Sequence, residues 1–264
     1  TPIPRTLSLA IFGNLDLSII DEYPAGRKKI ITQAVDLQKR TWVYQFVRAE
    51  IQKGRQAFII CPLVEESEKN EEVKAATAEF ERLKKEVFFQ EKLGLIYGKM
   101  KAKDKDEVMK AFQKKEFDIL VSTSVVEVGV DIPNATVMII EGAERFGLSQ
   151  LHQFRGRVGR GKHQSYCFLF SSSGKITPRL KIMETSQDGF KIAEKDLALR
   201  GPGQFMGHAQ SGAPDIAMQS LSDLKTLQNA RTEAQRILAF DPGLEKFPRL
   251  KKAVAKLKRN THWE

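Results

Sequence analysis

The sequence predicts an α/β fold: a parallel sheet flanked by helices, followed by a purely helical tail. Three features carry that expectation. Apolar runs of strand length alternate with amphipathic helical segments from about Leu17 to Phe170, the pattern of parallel strands joined by covering helices. Strand signals stop after Ser171-Ser-Ser-Gly174, and only helical patterns occur beyond it. With 264 residues and 41% hydrophobic content, the chain can hold one ordinary core and a smaller appendage.

Taken in order, the strands are expected near Leu17 to Ile20, Lys28 to Ala34, Ala57 to Pro62, Leu93 to Tyr97, Ile119 to Thr123, Val137 to Ile140 and Tyr166 to Phe170. Helices fit between them at Thr41 to Lys53, Asn70 to Phe88, Lys103 to Lys114 and Leu148 to Val158. The third sets Val108, Met109 and Phe112 on one side at spacings of three and four, with its lysines outward. Those lysines read as a solvated face, with a nucleic-acid patch as the competing reading. Beyond Gly174, Pro178 to Arg200 reads as two short helices broken at Asp188-Gly189, and a glycine-rich stretch runs from Arg200 to Gly212. Helices return from Leu221 to about Phe240 and from Arg249 to Lys258. The last concentrates Lys251, Lys252, Lys256, Lys258 and Arg259, either a solvated tail or a phosphate-facing surface.

A formal charge of +10 and a pI near 9.5 suit a polyanionic partner. Nucleic acid is favoured over membrane, since no apolar run reaches about 18 residues, and no secretory leader is expected. The expected site of action is cytoplasmic. Cys61 and Cys167 each fall inside a strand-like run and read as buried free thiols. With four scattered histidines and no Cys-x-x-Cys, no metal held by this chain alone is expected.

Gln153-Phe-Arg-Gly-Arg157-Val-Gly-Arg160 sets two arginines three apart behind a glutamine and two glycines. Arginine's planar fork pairs with phosphate oxygens at any physiological pH, and Gly156 and Gly159 permit close backbone approach. On helical spacing Gln153 shares a face with Arg157. Upstream, the run from Ile119 to Thr123 breaks into a polar turn containing Gly129 and Asp131 before the next apolar run. These two stretches resemble motifs VI and V of superfamily 2 helicases and translocases, the first at every fixed position of Gln-x-x-Gly-Arg-x-Gly-Arg. The resemblance implies a RecA-like second helicase lobe of the P-loop NTPase type. Arg157 and Arg160 would be its arginine fingers, assisted by Gln153, with Gly129 and Asp131 at the nucleotide. Thr123, Gly98 and Lys99, just past strand ends, would contact DNA phosphates through backbone and side-chain donors, without reading sequence. Plainer alternatives are salt bridges from the two arginines to acids such as Glu141 and Glu144, an ordinary turn aspartate at Asp131, and helix capping by Thr123.

The opening Thr1-Pro-Ile-Pro-Arg5-Thr-Leu resembles the tail of motif III, which joins the two lobes in such enzymes. No Gly-x-x-x-x-Gly-Lys-Ser/Thr loop and no Asp-Glu-x-His strand occurs in the chain. The expectation is an excised second half, inactive by itself, whose ATP and Mg2+ are held mainly by a first lobe.

Arg179-Leu-Lys, Asp188-Gly-Phe190, Arg200-Gly-Pro-Gly203 and Gly207-x-x-Gln210-Ser-Gly212 resemble the translocation motif of the RecG family, as do Ile96-Tyr-Gly-Lys-Met100 and Glu144-Arg-Phe-Gly147. Tyr97, Gln204 and Gly142-Ala143 depart from that family's usual pattern. The resemblance implies an ATP-dependent DNA translocase that remodels stalled forks and branch-migrates Holliday junctions, with Arg179, Arg200 and Gln210 coupling lobe closure to movement on DNA. The implied partners are branched DNA and the first motor lobe and wedge domain of the same chain, in a monomer. The expected divisions are 1–15 (motif III tail and linker), 16–174 (RecA-like lobe), 175–217 (translocation hairpin and glycine-rich loop) and 218–264 (C-terminal helices). An Mfd-like translocase and a non-catalytic basic DNA-binding module are the alternatives.

Overall fold

The computed structural model of the chain describes residues 27–62, 71–127, 131–200 and 224–260. The expected strand from Leu17 to Ile20 lies outside them. Six strands, β1 (Ile31–Val35), β2 (Gln56–Ile60), β3 (Leu93–Ile96), β4 (Ile119–Ser122), β5 (Ala135–Ile140) and β6 (Tyr166–Phe170), form one parallel sheet in the order β1-β6-β5-β2-β4-β3. The helices are α1 (Arg40–Gln52), α2 (Glu71–Arg82), α3 (Ala102–Gln113), α4 (Leu148–Arg155), α5 (Pro178–Thr185), α6 (Gly189–Arg200), α7 (Leu224–Phe240) and α8 (Pro248–Asn260).

Alternation along the central strands divides the core into two layers. Phe58, Ile60, Leu120, Met138 and Ile140 pack with Phe112 of α3, Leu151 and Phe154 of α4 and Leu180 and Met183 of α5. Ala57, Ile59, Val121, Val137 and Ile139 pack on the opposite side with Val43 and Val47 of α1. That arrangement leaves β2 and β5 buried along their whole length, which is why their sequences are unbroken apolar runs. On α3, Met109 and Phe112 are buried, while Lys103 and Lys110 stand outside in i,i+4 pairs with Glu107 and Asp106. This favours the solvated reading of that face. Cys61 and Cys167 are free and buried, and burial pushes the Cys167 thiol up to about 12.

Several boundaries move for local reasons. β1 begins at Ile31 and not at Lys28, because the side-chain amide of Gln187 takes both the N–H and the carbonyl of Ile30, at 3.3 and 2.6 Å. β5 begins at Ala135, two residues early: Gln56 pairs there through a register shift that apolarity does not signal. The expected helix from Asn70 to Phe88 is α2 continued by a wider π turn, Leu83–Val87, that delivers Leu83 and Phe88 to the core. The break at Asp188-Gly189 holds, with the Asp188 carboxylate accepting from the Phe190 amide at 2.9 Å to start α6.

The chain divides into two compact units, one running to Ile192 and the other from Ala193 onward, so the division falls within α6. Among the described residues of the second unit are α7 and α8, joined by a corner in which the Asp241 carboxylate accepts from the Lys246 amide at 2.6 Å. Among the described residues no helix is long and apolar enough to cross a membrane.

Candidate functional site

Because every strand runs the same way, loops collect at two edges of the sheet, and the expected site residues fall on both. At the amino-terminal edge, α4 ends at Arg155 and Gly156 closes it. The expected helix to Val158 is therefore too long, and Arg157 and Arg160 lie in the turn beyond it. Gln153 and Arg157 are half-buried, and each is engaged with a neighbour. Gly159 turns the chain at φ +75°, with its carbonyl accepting from the Arg27 Nε at 3.1 Å. Arg160 then meets Asp131, Nη1 to Oδ1 at 3.6 Å, while its Nε donates to the Gly156 carbonyl at 3.0 Å. Of the residues expected at the nucleotide, the structure thus brings Arg160 and Asp131 together. Gly129 lies outside the described residues.

The glycine that allows this approach is one that motif spacing does not single out. A Cβ on Gly161 would sit 2.3 Å from the Pro133 carbonyl oxygen, so the loops before β5 and β6 touch backbone to backbone. Gly156 has ordinary helical angles, and a Cβ there would meet only its own turn, at 3.3 Å or more. The close approach expected at Gly156 is corrected to Gly161. Gly161→Ala is expected to lower stability by about 2 kcal/mol, or about 4–8 °C in melting temperature, and Gly156→Ala by less than half of that. Thermal unfolding of the 264-residue chain checks it; equal losses for the two would refute the reading.

At the carboxyl-terminal edge, the turn after β3 exposes Gly98 and Lys99, and the Gly98 carbonyl accepts from Lys105 Nζ at 2.5 Å. Thr123 comes directly after β4 on the neighbouring strand. Its amide, expected to face a phosphate, instead donates to the Ile96 carbonyl at 3.3 Å, because parallel pairing continues one residue past the strand ends. The Thr123 hydroxyl oxygen is buried and has no hydrogen-bond partner among the described residues. On the next strands of the same edge, Glu141 is gripped by both terminal nitrogens of Arg40, at 3.0 and 2.7 Å, and lies 3.3 Å from the Tyr44 hydroxyl. Burial raises the Glu141 carboxyl above its ordinary range against the pull of Arg40. Glu144 accepts from the Ser172 amide at 3.0 Å. The acids weighed as salt-bridge partners for the arginine pair are therefore held by other groups.

This arrangement of loops on a parallel sheet has counterparts among known proteins. The family model "Helicase conserved C-terminal domain" matches residues 38–162, and "ATP-dependent DNA helicase RecG, domain 3, C-terminal" matches residues 186–263. The chain belongs to the RecG family. A Synechocystis relative named ATP-dependent DNA helicase RecG is 52% identical over 254 residues, which are 95% of this chain and 30% of the relative. The Thermotoga maritima relative of the same name is 50% identical over 240 residues, 90% of this chain and 31% of its own. A solved structure of RecG bound to a three-way DNA junction matches with a TM-score of 0.68 and 47% identity, over 86% of this chain and 30% of that one. The chain thus spans about a third of the length of its RecG relatives.

In this RecG-family chain, the residue that joins motif VI to the segment between α5 and α6 is Arg155, a variable position of the motif. It is only 2% exposed. Nη1 donates to the carbonyls of Met183 and Ser186 at 2.9 and 2.8 Å, and Nη2 to that of Gln187 at 3.3 Å. Nη2 also stands 2.9 Å from His152 Nδ1; burial, then the Arg155 charge, lowers that imidazole to about 4, so it is neutral at pH 7 and Nδ1 accepts. The segment held by Arg155 and the end of α5 in turn bond to β1, with Gln187 on Ile30 and Glu184 Oε1 accepting from the Ala34 amide at 2.7 Å. Arg179, at the other end of α5, donates to the Phe146 carbonyl at 3.1 Å. The side chain of Arg200, at the end of α6, and all of Gln210 lie outside the described residues.

Proposed function

We propose that the chain is the second motor lobe of a RecG-type ATP-dependent DNA helicase or translocase, which remodels forks and branch-migrates Holliday junctions. The observation that carries this is the meeting of Arg160 with Asp131 at the amino-terminal edge, with Arg155 fastening the same turn region to the segment between α5 and α6. Arg160 suits a phosphate partner. It is exposed, and its 3.6 Å contact with Asp131 is loose enough for an anion to compete. Asp131 keeps the guanidinium in place, Gly161 lets the two loops close, and Arg157 and Gln153 complete the set that meets the γ-phosphate. ATP with Mg2+, held mainly by a first lobe, supplies the phosphoanhydride whose cleavage drives movement, and the arginines offset the charge that develops on its oxygens.

On this reading Gly98 and Lys99 track the DNA backbone from the opposite edge, where Thr123 is buried and no longer counted among the contacts, and Arg179, Arg200 and Gln210 carry lobe closure to the DNA. The functional divisions are 1–15, 16–174, 175–217 and 218–264, in a protein that works as a cytoplasmic monomer. Branched DNA is the proposed substrate; the similarity to a RecG bound to a three-way junction supports it, and the domain 3 match favours RecG over an Mfd-like translocase. No phosphate-cradling loop occurs in the sequence, so the 264-residue chain alone is expected to show no ATP turnover, with or without DNA. DNA-stimulated phosphate release by the purified chain, in a coupled assay, would end the proposal.

A further inference from the structure

The terminal helix α8 carries charge that works against its own stability. Arg249 and Lys251 lie in its first turn, where no acid is found, and Lys252 follows directly, although the helix dipole favours anions at this end. Arg249, Lys252 and Lys256 are spaced by three and four residues, so they share one face and repel one another. All three side chains are exposed, and among the described residues none of them is ion-paired, whereas Lys251 is paired with Glu245. Arg259 continues the same spacing. The corner held by Asp241 and the proline at the first helical position set where this helix starts.

A row of unpaired cations reinforced by a helix N-terminus gains energy only against a repeating anion. We propose that this face of α8 is a second binding surface for the phosphate backbone of duplex DNA, in addition to the contacts proposed for Gly98 and Lys99. A membrane surface fits less well: the helix contains no aromatic residue, and its apolar stripe is limited to Leu250, Val254 and Leu257. DNA as the polymer rests on the functional proposal above, but the test needs neither ATP nor the arginine fingers, so the two fail separately.

The test measures binding of the 264-residue chain to a fluorescein-labelled 20-base-pair duplex by anisotropy, from about 50 to 200 mM salt, beside vesicles of phosphatidylserine. Neutralising the face with Arg249→Gln, Lys252→Gln and Lys256→Gln is expected to flatten the log–log salt slope by up to about 2.7, about 0.9 per phosphate contact, and to weaken binding at least about tenfold at low salt. Lys103→Gln with Lys110→Gln, which removes two cations already paired to acids on α3, is expected to leave the slope within about one unit. An unchanged slope in the triple variant, no duplex binding by the parent chain at low salt, or loss of binding to vesicles but not to DNA each overturns the proposal. Matching circular dichroism of parent and variant excludes misfolding as the cause.

Discussion

Arg160→Ala, made in the full-length protein, is expected to reduce DNA-stimulated ATP turnover about a thousandfold or more while leaving duplex affinity within about twofold. The size comes from the role, since an arginine finger contributes about 10³–10⁵ to phosphoryl-transfer rates. The separation of the two effects comes from the fold. Arg160 sits at the amino-terminal edge of a parallel sheet and the proposed DNA contacts at the opposite edge, so removing one guanidinium leaves the other surface intact. Lysine at this position is expected to recover little, because a point charge lacks the planar fork that meets two oxygens at once. Arg160 is exposed, so its loss is expected to move the melting temperature by no more than about 2 °C. Asp131→Ala alone loosens the same guanidinium, and combined with Arg160→Ala it is expected to add nothing further. Turnover within tenfold of the parent enzyme would remove Arg160 from the chemistry.

Arg155→Ala is expected to act through stability. The buried guanidinium satisfies the carbonyls of Met183, Ser186 and Gln187. Truncation orphans those acceptors, each at about 1–3 kcal/mol if water does not reach it, and relieves the cost of burying the charge. A net loss of about 3 kcal/mol is expected, or about 6–12 °C in melting temperature for a unit of this size. The loss should be local first: limited proteolysis of the 264-residue chain is expected to gain a cleavage site at Ser186 to Asp188, because the same clamp holds Gln187 against β1. Arg155→Lys, which keeps charge and one or two donors, should recover part of the loss. A melting temperature within about 2 °C of the parent for Arg155→Ala would show that the clamp contributes nothing.

Most of the strands were legible because the sheet is buried on both faces, and burial on both faces writes itself as short apolar runs. The runs at Ala57 to Pro62 and Ile119 to Thr123 mark β2 and β4 within a residue or two. Legibility failed where polar groups do the pairing. Gln187 is a surface-type residue in sequence, yet its amide ends β1, and nothing local to residues 28–30 announces it. The site was legible to the same degree. The arginine pair and Asp131 stand out by type and spacing, while Gly161 is one glycine among eighteen and Arg155 falls where the motif allows any residue. A signal for Arg155 did exist: it stands four residues after Leu151 and next to Phe154, on the stripe of α4 that these core residues turn inward.

By itself the sequence determined the parallel α/β class, the motif spacing that marks an anion-meeting turn, the membership of the RecG family and the basic character of the last helix. Each of these is a property of residue type at short separation, where periodicity and local chemistry suffice. Only the tertiary structure decided that Arg160 meets Asp131, that Thr123 gives its amide to Ile96, and that Arg155 fastens motif VI to the segment between α5 and α6. The bonds from Arg155 to backbone carbonyls alone join residues 28 to 32 positions apart in the chain. Such pairings exist because parallel strands bring distant loops to a common edge, where buried donors and acceptors must find one another.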